Sequence, residues 1–345
     1  MRKYSILCNP QVFKVYKDEA QKILVYEAQA IFSGAGLNPG EISFESIAGI
    51  WYLTFEVEGE PPSAFFKSLA RHSAFYALFE KKGDMLLPKE ADAGYIFKEN
   101  MPSLLNYQGK TNALFTRLML NLAKSVCRSD MDTKASVLDP VAGKGTTLYD
   151  ALMLGYNAYG IELSAKYFEE SCHYAAKFMQ NEKFKHTTKK DKILDVKSRK
   201  ISDAYTLEFA ADKKSFAAKD TAIFKMFAGD TRIADRLIKK NSIDMIVGDL
   251  PYGIQHFNAK GAKKGAKRRD ADDFFAEAFP SWNASLKKGG SLVVSFNEHT
   301  ADKKNIAQVL INSGMNVLDD EKYDDYRHKV DSSIIRNLVV AVKPK

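Results

Sequence analysis

From residue 136 onward, short apolar segments alternate with segments of helical periodicity, and this alternation limits the folds open to the chain. The apolar segments read SVLDP, AYGIELS, IFKMFAGD, SIDMIVGDL, GGSLVVSFN and IIRNLVVAVK. A strand, a helix and a further strand in this order place the strands in parallel in one sheet, with helices on both faces. The sequence therefore predicts an α/β fold with a Rossmann-like sheet, preceded by a helix over residues 102–127.

The segment before this pattern predicts a smaller α/β domain. KYSILCN and IAGIWYLTFEVE are typical of strands, whereas DEAQKILVYEAQAIFSGAG and PPSAFFKSLARHSAFYALFEKKG are typical of helices. The order strand, helix, strand, helix is compatible with a ferredoxin-like module. Because 345 residues exceed one ordinary core, we expect two domains, residues 1–98 and residues 99–345.

Composition excludes several classes of protein. No window approaches the roughly 20 apolar residues of a membrane span, and the N-terminus lacks the apolar core of a signal peptide, so we expect a cytoplasmic protein. The three cysteines lie far apart and form no CxxC or Cys/His cluster, which predicts neither a disulfide framework nor a metal site. The formal net charge of +8 permits a nucleic-acid partner.

Two segments concentrate the positive charge. Residues 259–269 carry six basic residues and no acidic one, and residues 182–200 carry eight basic residues against three acidic ones. Such runs are most often solvated, mobile loops, and that is the interpretation of residues 182–200. The first run differs because it closely follows GDLPYG, at the end of a predicted strand.

A glycine-containing turn follows the first of the alternating strands. SVLDPVAGKGTT places Asp139, Gly143 and Gly145 between strand and helix, where a ligand can approach the backbone and free N–H groups. A Walker A loop would need glycine at 138 and Ser or Thr at 145, where this chain has leucine and glycine. A dinucleotide fingerprint would need a third glycine at 148, where this chain has Leu148.

Acidic residues at the ends of successive strands indicate a different ligand. Asp139 suits a cation better than a phosphate, and S-adenosylmethionine carries an ammonium and a sulfonium. Glu162 can accept hydrogen bonds from ribose hydroxyls, and Asp230 can accept one from the exocyclic amine of adenine. The residues predicted to bind this cofactor are Asp139, Pro140, Ala142, Gly143, Gly145, Thr146, Glu162, Leu163, Asp230, Thr231 and Asp249.

The combination of DPVAGKG, GIEL, GD and DLPYG resembles the amino-methyltransferases, whose fourth motif reads Asp, Asn or Ser, then any residue, proline and an aromatic residue. The resemblance implies transfer of a methyl group from S-adenosylmethionine to an exocyclic amine of a base or to a planar amide. It implies that the catalytic residues are Asp249, Leu250, Pro251 and Tyr252. Leu250 stands where proline is commonest, and Lys144 stands between the two glycines, where small residues or cysteine are commoner.

The chemistry of such an amine explains the implied roles. Its lone pair is delocalised into the ring, which makes it a poor nucleophile. The Asp249 carboxylate and the Leu250 carbonyl would accept its two N–H protons and localise the lone pair, while Pro251 stiffens the turn. Tyr252 would stack on an extruded base, and correct positioning would supply most of the catalysis.

A narrower resemblance concerns the RNA methylase family that contains the tRNA guanine-N2 methyltransferases. It depends on the late Pro-Tyr-Gly of the fourth motif and on NYQGKTNALFTRLMLNLA, which in that family precedes the first motif and packs over the adenosine. It covers residues 100–345 as a Rossmann-like methyltransferase domain. Those enzymes usually carry a full THUMP domain before the catalytic part, and the stretch between the small N-terminal unit and the catalytic helix is too short for one.

The resemblance implies an RNA substrate, tRNA or rRNA, with guanine N2 as the preferred target. Residues 255–270 would then form a substrate arm. The implied substrate-binding residues are Tyr252, Gly253, His256, Lys263, Lys264, Lys267, Arg268 and Arg269.

Other functions stay open. The same motif serves adenine-N6 and cytosine-N4 methylation of DNA or RNA. Methylation of a protein glutamine would leave the basic segment unexplained, and a catalytically silent RNA-binding protein would not need Asp249 and Pro251. The sequence does not indicate the oligomeric state.

Overall fold

The computed structural model describes residues 1–97, 101–104, 110–128, 134–250 and 267–345 of the chain. Residues 1–97 contain three α-helices, one short 3₁₀ helix (Lys17–Glu19) and five strands. The α-helices and strands are β1 (Arg2–Cys8), α1 (Gln11–Tyr16), α2 (Ala20–Gly34), β2 (Ile42–Ile47), β3 (Ile50–Val57), α3 (Ser63–Leu69), β4 (Phe75–Lys82) and β5 (Met85–Lys89).

The five strands form an antiparallel sheet in the order β2-β3-β1-β4-β5. Without β5, the connection β-α-β-β-α-β and this strand order are those of a ferredoxin-like fold. The predicted small α/β domain is therefore confirmed, and β5 extends it as an edge hairpin strand.

Two segments of this domain differ from their predicted structure. IAGIWYLTFEVE is not one strand: it turns at Ala48 and Gly49, both with positive φ, so that Ile47 pairs with Ile50 in a hairpin. The second predicted helix ends at Leu69, and its second half is the strand β4. Pairing of β4 with the central strand β1 decides its conformation, and a tertiary contact of this kind is not visible in local periodicity.

The second part of the chain forms a ten-stranded mixed sheet flanked by helices. Its elements are α4 (Met101–Leu104), α5 (Ala113–Val126), β6 (Ser136–Asp139), α6 (Thr146–Met153), β7 (Asn157–Glu162), α7 (Ala165–Asn181), β8 (Lys185–Leu194), β9 (Lys200–Ala210), α8 (Lys213–Ala217), β10 (Ala222–Ala228), α9 (Ala234–Leu237), β11 (Ile243–Asp249), α10 (Lys267–Ser285), β12 (Leu286–Asn297), α11 (Lys303–Asn312), β13 (Asn316–Val317), α12 (Glu321–Asp324), β14 (His328–Lys329) and β15 (Ile335–Val342). Within the described ranges, no helix is both long enough and apolar enough to cross a bilayer.

The strand order is β13-β15-β12-β11-β6-β7-β10-β9-β8, with β14 paired to β15. The five central strands β12, β11, β6, β7 and β10 are parallel, as predicted, and the flanking strands are antiparallel. The Rossmann-like methyltransferase sheet is thus confirmed. The antiparallel edges were not predicted.

The lysine-rich segment 182–200 is not the loop that its charge suggested. Residues Lys185–Leu194 form the edge strand β8, which pairs along its length with β9. Leu207 and Phe209 of β9 are buried, whereas most of β8 is exposed. Lysines on an edge strand prevent further strand pairing, which reconciles the charge with a strand.

The helix predicted over residues 102–127 is interrupted. α4 ends at Leu104, residues 110–112 are not helical, and α5 begins anew after Asn112. The Asn112 side chain accepts a hydrogen bond from Leu114 N at 2.8 Å and so caps α5. The break brings the residue before this cap, Thr111, to the sheet edge described below.

The two parts of the chain share one hydrophobic core, in which α2 packs against α5. Polar contacts reinforce this packing: Lys22 pairs with Asp325 at 2.9 Å, and Lys17 Nζ donates to the Val330 carbonyl at 2.5 Å. The domain boundary predicted between residues 98 and 99 lies outside the described residues.

A buried ion pair joins α5 to α6, the helix after the glycine-containing turn. Arg117 Nε donates to the Asp150 carboxylate at 2.9 and 3.1 Å, and both side chains are at most one-tenth exposed. The Arg117 guanidinium also lies over the Tyr95 ring, 4.8 Å from its centre.

We predict that Asp150→Leu lowers the free energy of unfolding by about 3 to 5 kcal/mol, because Arg117 is left charged and buried without its partner. The double variant Arg117→Met with Asp150→Leu should recover most of this loss, since apolar side chains of similar volume replace the pair. Urea denaturation of the three proteins measures both effects. Equal losses in the single and double variants would contradict the role of the unpaired charge.

Candidate active site

Four acidic residues predicted for the site lie at one edge of the large sheet, where the parallel strands end. Asp139 ends β6, Glu162 ends β7, Asp230 follows β10 and Asp249 ends β11. From β6 the chain continues to β7 on one side, and it later enters β11 on the other side. Ligands of open α/β sheets bind at such a reversal of strand order.

Asp139 is a buried carboxylic acid at this reversal. Its Oδ1 accepts a hydrogen bond from Val141 N at 3.0 Å, and Thr147 also donates to it. Burial raises the pKa of Asp139 to about 7, and the nearby charges of Asp249 and Glu162 act in the same direction. A cation placed beside Asp139 would favour its ionised form.

The turn after Asp139 leaves its backbone accessible. Gly143 has a φ of 54° and nothing within 4 Å of the position that a Cβ would occupy. Gly145 has a φ of 92°, and a Cβ there would lie 2.7 Å from Ser171 Oγ. Both positions therefore favour glycine, and the open side of Gly143 is where a ligand can approach.

Other residues of this turn are held by the protein. Ala142 N donates to the Ile161 carbonyl at 2.9 Å, and the buried Thr146 begins α6. Lys144 pairs with Glu170 at 2.6 Å and lies over the Tyr167 ring. Lys144 is thus directed toward α7.

Glu162 connects the glycine-containing turn to the next helix. Its Oε2 accepts from Gly143 N at 2.8 Å, and its Oε1 accepts from Ser164 N at 2.7 Å. Ribose hydroxyls would therefore share this carboxylate with two backbone donors. The neighbouring Leu163 is 44% exposed, which leaves an apolar surface beside the acid.

Asp230 and Thr231 have protein partners that the sequence did not indicate. Arg232 Nη2 contacts the Asp230 carboxylate at 2.6 Å. Burial alone would raise the pKa of Asp230, but the hydrogen bonds and charge of Arg232 outweigh it and lower that pKa below its ordinary value. The Thr231 hydroxyl accepts a hydrogen bond from Trp282 Nε1 at 2.8 Å. The predicted adenine contact of Asp230 would compete with Arg232.

Side chains from three separate parts of the chain hold the Asp249 carboxylate. Thr111 Oγ1 donates to its Oδ2 at 2.6 Å, Ser295 of β12 donates to its Oδ1, and Arg336 Nη2 lies 3.3 Å from Oδ2. The side chains of Asp249 and Arg336 are 10% and 6% exposed. Sequence reasoning missed these partners; a charged residue within the apolar segment IIRNLVVAVK was the one indication.

Arg336 is itself fixed on its other side. Its guanidinium lies 4.6 Å from the centre of the Phe115 ring, an arrangement in which the ring face attracts the cation. It pairs in the β14–β15 ladder with His328. Burial lowers the pKa of His328 to about 4, so this neighbour is uncharged at neutral pH.

The start of the fourth motif is held against β12. Leu250 is buried, and its N–H donates to the Ser295 carbonyl at 2.9 Å. Six predicted residues lie outside the described residues: Pro251, Tyr252, Gly253, His256, Lys263 and Lys264. Three more belong to α10, but the structure does not describe their side chains: Lys267, Arg268 and Arg269.

Residues 113–314 match the model of the RMKL-like methyltransferase domain family, UPF0020. This match spans more than half of the chain. The chain belongs to the RMKL-like methyltransferase family. It is accordingly a methyltransferase, and its cofactor is S-adenosylmethionine. No curated protein matches it in sequence.

Solved structures similar to this chain include TrmN, a TehB-like SAM-dependent methyltransferase and an rRNA methylase. TrmN from Thermus thermophilus is 12% identical over 99% of this chain and 100% of that one, with a TM-score of 0.45. A TehB-like SAM-dependent methyltransferase from Corynebacterium glutamicum is 15% identical over 62% and 83%, with a TM-score of 0.35. An rRNA methylase from Streptococcus thermophilus is 12% identical over 62% and 91%, with a TM-score of 0.33.

The site fits the cofactor of this family. The open Gly143 backbone, the buried acid Asp139 and the exposed Leu163 beside Glu162 match a ligand with a cationic end, a ribose and an apolar ring. These residues, with Gly145 and Asp230, would hold S-adenosylmethionine, which supplies a methyl group activated by a sulfonium. The individual contacts stay predictions.

We predict that affinity for S-adenosylhomocysteine, which has the same ammonium, rises about tenfold from one pH unit below 7 to one unit above it. The reason is that only ionised Asp139, whose pKa is about 7, attracts the ammonium. Calorimetric titration of the wild type and Asp139→Asn measures this. The asparagine variant controls for titration of the ligand, and the same pH dependence in both proteins would exclude the role of Asp139.

Proposed function

We propose that this methyltransferase transfers a methyl group from S-adenosylmethionine to an exocyclic amine of a nucleobase in RNA. The preferred target is N2 of a guanine in tRNA or rRNA. The observation that carries the proposal is the Asp249 carboxylate at the tip of β11, held by three donors beside the strand-order reversal where Asp139 lies. The sequence Leu-Pro-Tyr follows it directly.

The fixed orientation of Asp249 suits activation of a planar amine. An acceptor that is already oriented loses little entropy when an N–H group arrives, so it can impose one geometry on the nitrogen. Thr111 and Arg336 already donate to Oδ2 and Ser295 donates to Oδ1, so the amine would share Oδ1 with Ser295. The Leu250 carbonyl, next in the chain, is the proposed second acceptor.

Charge supports a nucleic-acid substrate. The chain has a net charge of +8, and the edge strand β8 adds exposed lysines such as Lys189 and Lys190 to the basic residues after Asp249. Cations near phosphates contribute salt-dependent affinity without sequence preference. We propose that the enzyme is cytoplasmic. We also propose a domain boundary between residues 98 and 99, with the first domain positioning the RNA.

The deciding experiment is transfer of a tritiated methyl group to total RNA and total DNA from a strain that lacks the gene, followed by nucleoside analysis. Label in N2-methylguanosine from RNA is the expected result. Label in N6-methyladenine or N4-methylcytosine would show that the enzyme methylates adenine or cytosine and not guanine. Absence of label in both nucleic acids would refute the proposal.

We predict that Asp249→Ala lowers turnover roughly a thousandfold and changes cofactor affinity less than about twofold, since the carboxylate acts on the amine. The substitution also leaves Arg336 buried without a carboxylate, at a cost of about 3 to 5 kcal/mol in unfolding free energy. The double variant Asp249→Ala with Arg336→Leu separates these effects. It should regain stability in urea denaturation and stay inactive; recovered methyl transfer would show that Asp249 acts only on stability.

A further inference from the structure

A cavity of about 260 Å³ lies between α1 of the ferredoxin-like domain and the methyltransferase domain. Its polar lining comes from both domains: Gln11 and Lys14 from α1, Lys110 and Asn112 from the segment before α5, and Arg336 from β15. Val330 forms an apolar wall, and its carbonyl accepts a hydrogen bond from Lys17 at 2.5 Å. The ferredoxin-like domain therefore contributes directly to a concave surface of the catalytic domain.

The cavity is positively charged. Lys14, Lys110 and Arg336 line it, and among its described lining residues none is acidic. Lys14 is exposed and forms no hydrogen bond or ion pair with the described residues, whereas Lys110 is partly buried and donates to the Pro102 carbonyl at 2.6 Å. Arg336 is buried and is paired with Asp249 at 3.3 Å. Because Asp249 compensates the charge of Arg336, the two lysines supply the positive charge that favours an anionic ligand in this small space.

The cavity adjoins the reactive carboxylate. Arg336 lines it and also contacts Asp249 at 3.3 Å. Thr111, which donates to the same oxygen at 2.6 Å, lies between the lining residues Lys110 and Asn112. A nucleotide whose base is extruded toward Asp249 keeps its ribose and flanking phosphates attached, close to that base. The volume lies below the roughly 300–1,000 Å³ of sites for drug-sized ligands, which suits one phosphate and its sugar.

We propose that this cavity binds a backbone phosphate beside the target nucleotide, and that Lys14 of the ferredoxin-like domain supplies the exposed cation. The assignment rests on the proposed function, since it takes the polynucleotide as substrate. It gives the N-terminal domain a specific part in substrate binding: the domain completes a phosphate site whose other half belongs to the catalytic domain. Arg336 connects this site to Asp249.

The test is Lys14→Glu, assayed by methyl transfer to total RNA from a strain that lacks the gene, at several salt concentrations. Reversing one phosphate-binding charge should raise the KM for RNA about tenfold, with a much smaller change in kcat. It should also flatten the dependence of log(kcat/KM) on log salt by about one unit. Lys14→Gln should give an intermediate KM.

The matched control is Lys82→Glu, which removes an exposed lysine of the same domain on β4, outside the cavity. It should leave KM and the salt slope unchanged, and thermal unfolding should confirm that both variants fold. If Lys14→Glu behaves like Lys82→Glu while the wild type methylates RNA, the phosphate site is wrong and the proposed function stands. If the wild type methylates protein or DNA and no RNA, both proposals fail together.

Discussion

The contact between Asp249 and Arg336 is the interaction on which the site depends. A carboxylate at the tip of a central strand would be costly to bury alone, and a buried guanidinium would be equally costly. Each compensates the other, Phe115 on α5 packs against Arg336, and Ser295 on β12 donates a hydrogen bond to Asp249. As a result α5, β11, β12 and β15 meet at the point where the sheet reverses its strand order.

Local patterns were sufficient to predict the core of the fold and the strand ends at which four acidic residues lie. Apolar strands in parallel sheets are buried on both faces, so β6, β7, β10 and β11 are recognisable without any tertiary information. Their terminal acids follow directly in the chain and so gather at one edge. The edge strand β8 was not recognised because its charge is typical of a loop, and β4 was not recognised because its residues have helical spacing. Pairing with β9 and with β1 decides the conformation of these two segments.

The partners of the acids could not be predicted for a related reason. Thr111, Ser295 and Arg336 lie 138, 46 and 87 positions from Asp249 in the chain, and nothing local connects them. Each is an ordinary residue in its own segment and acquires a function only through the fold. Asp230 shows the converse: its position was recognised, but Arg232, two residues away, already occupies its carboxylate. Recognising the acid in a motif does not reveal what it binds.

The most direct test of this account is a crystal structure of the enzyme with S-adenosylhomocysteine bound. The account predicts that the sulfur lies between the Gly143 turn and the tip of β11, on the side toward which the Asp249 carboxylate faces. A sulfur remote from β11, or an Asp249 carboxylate enclosed by its partners and separated from the ligand by protein atoms, would contradict it.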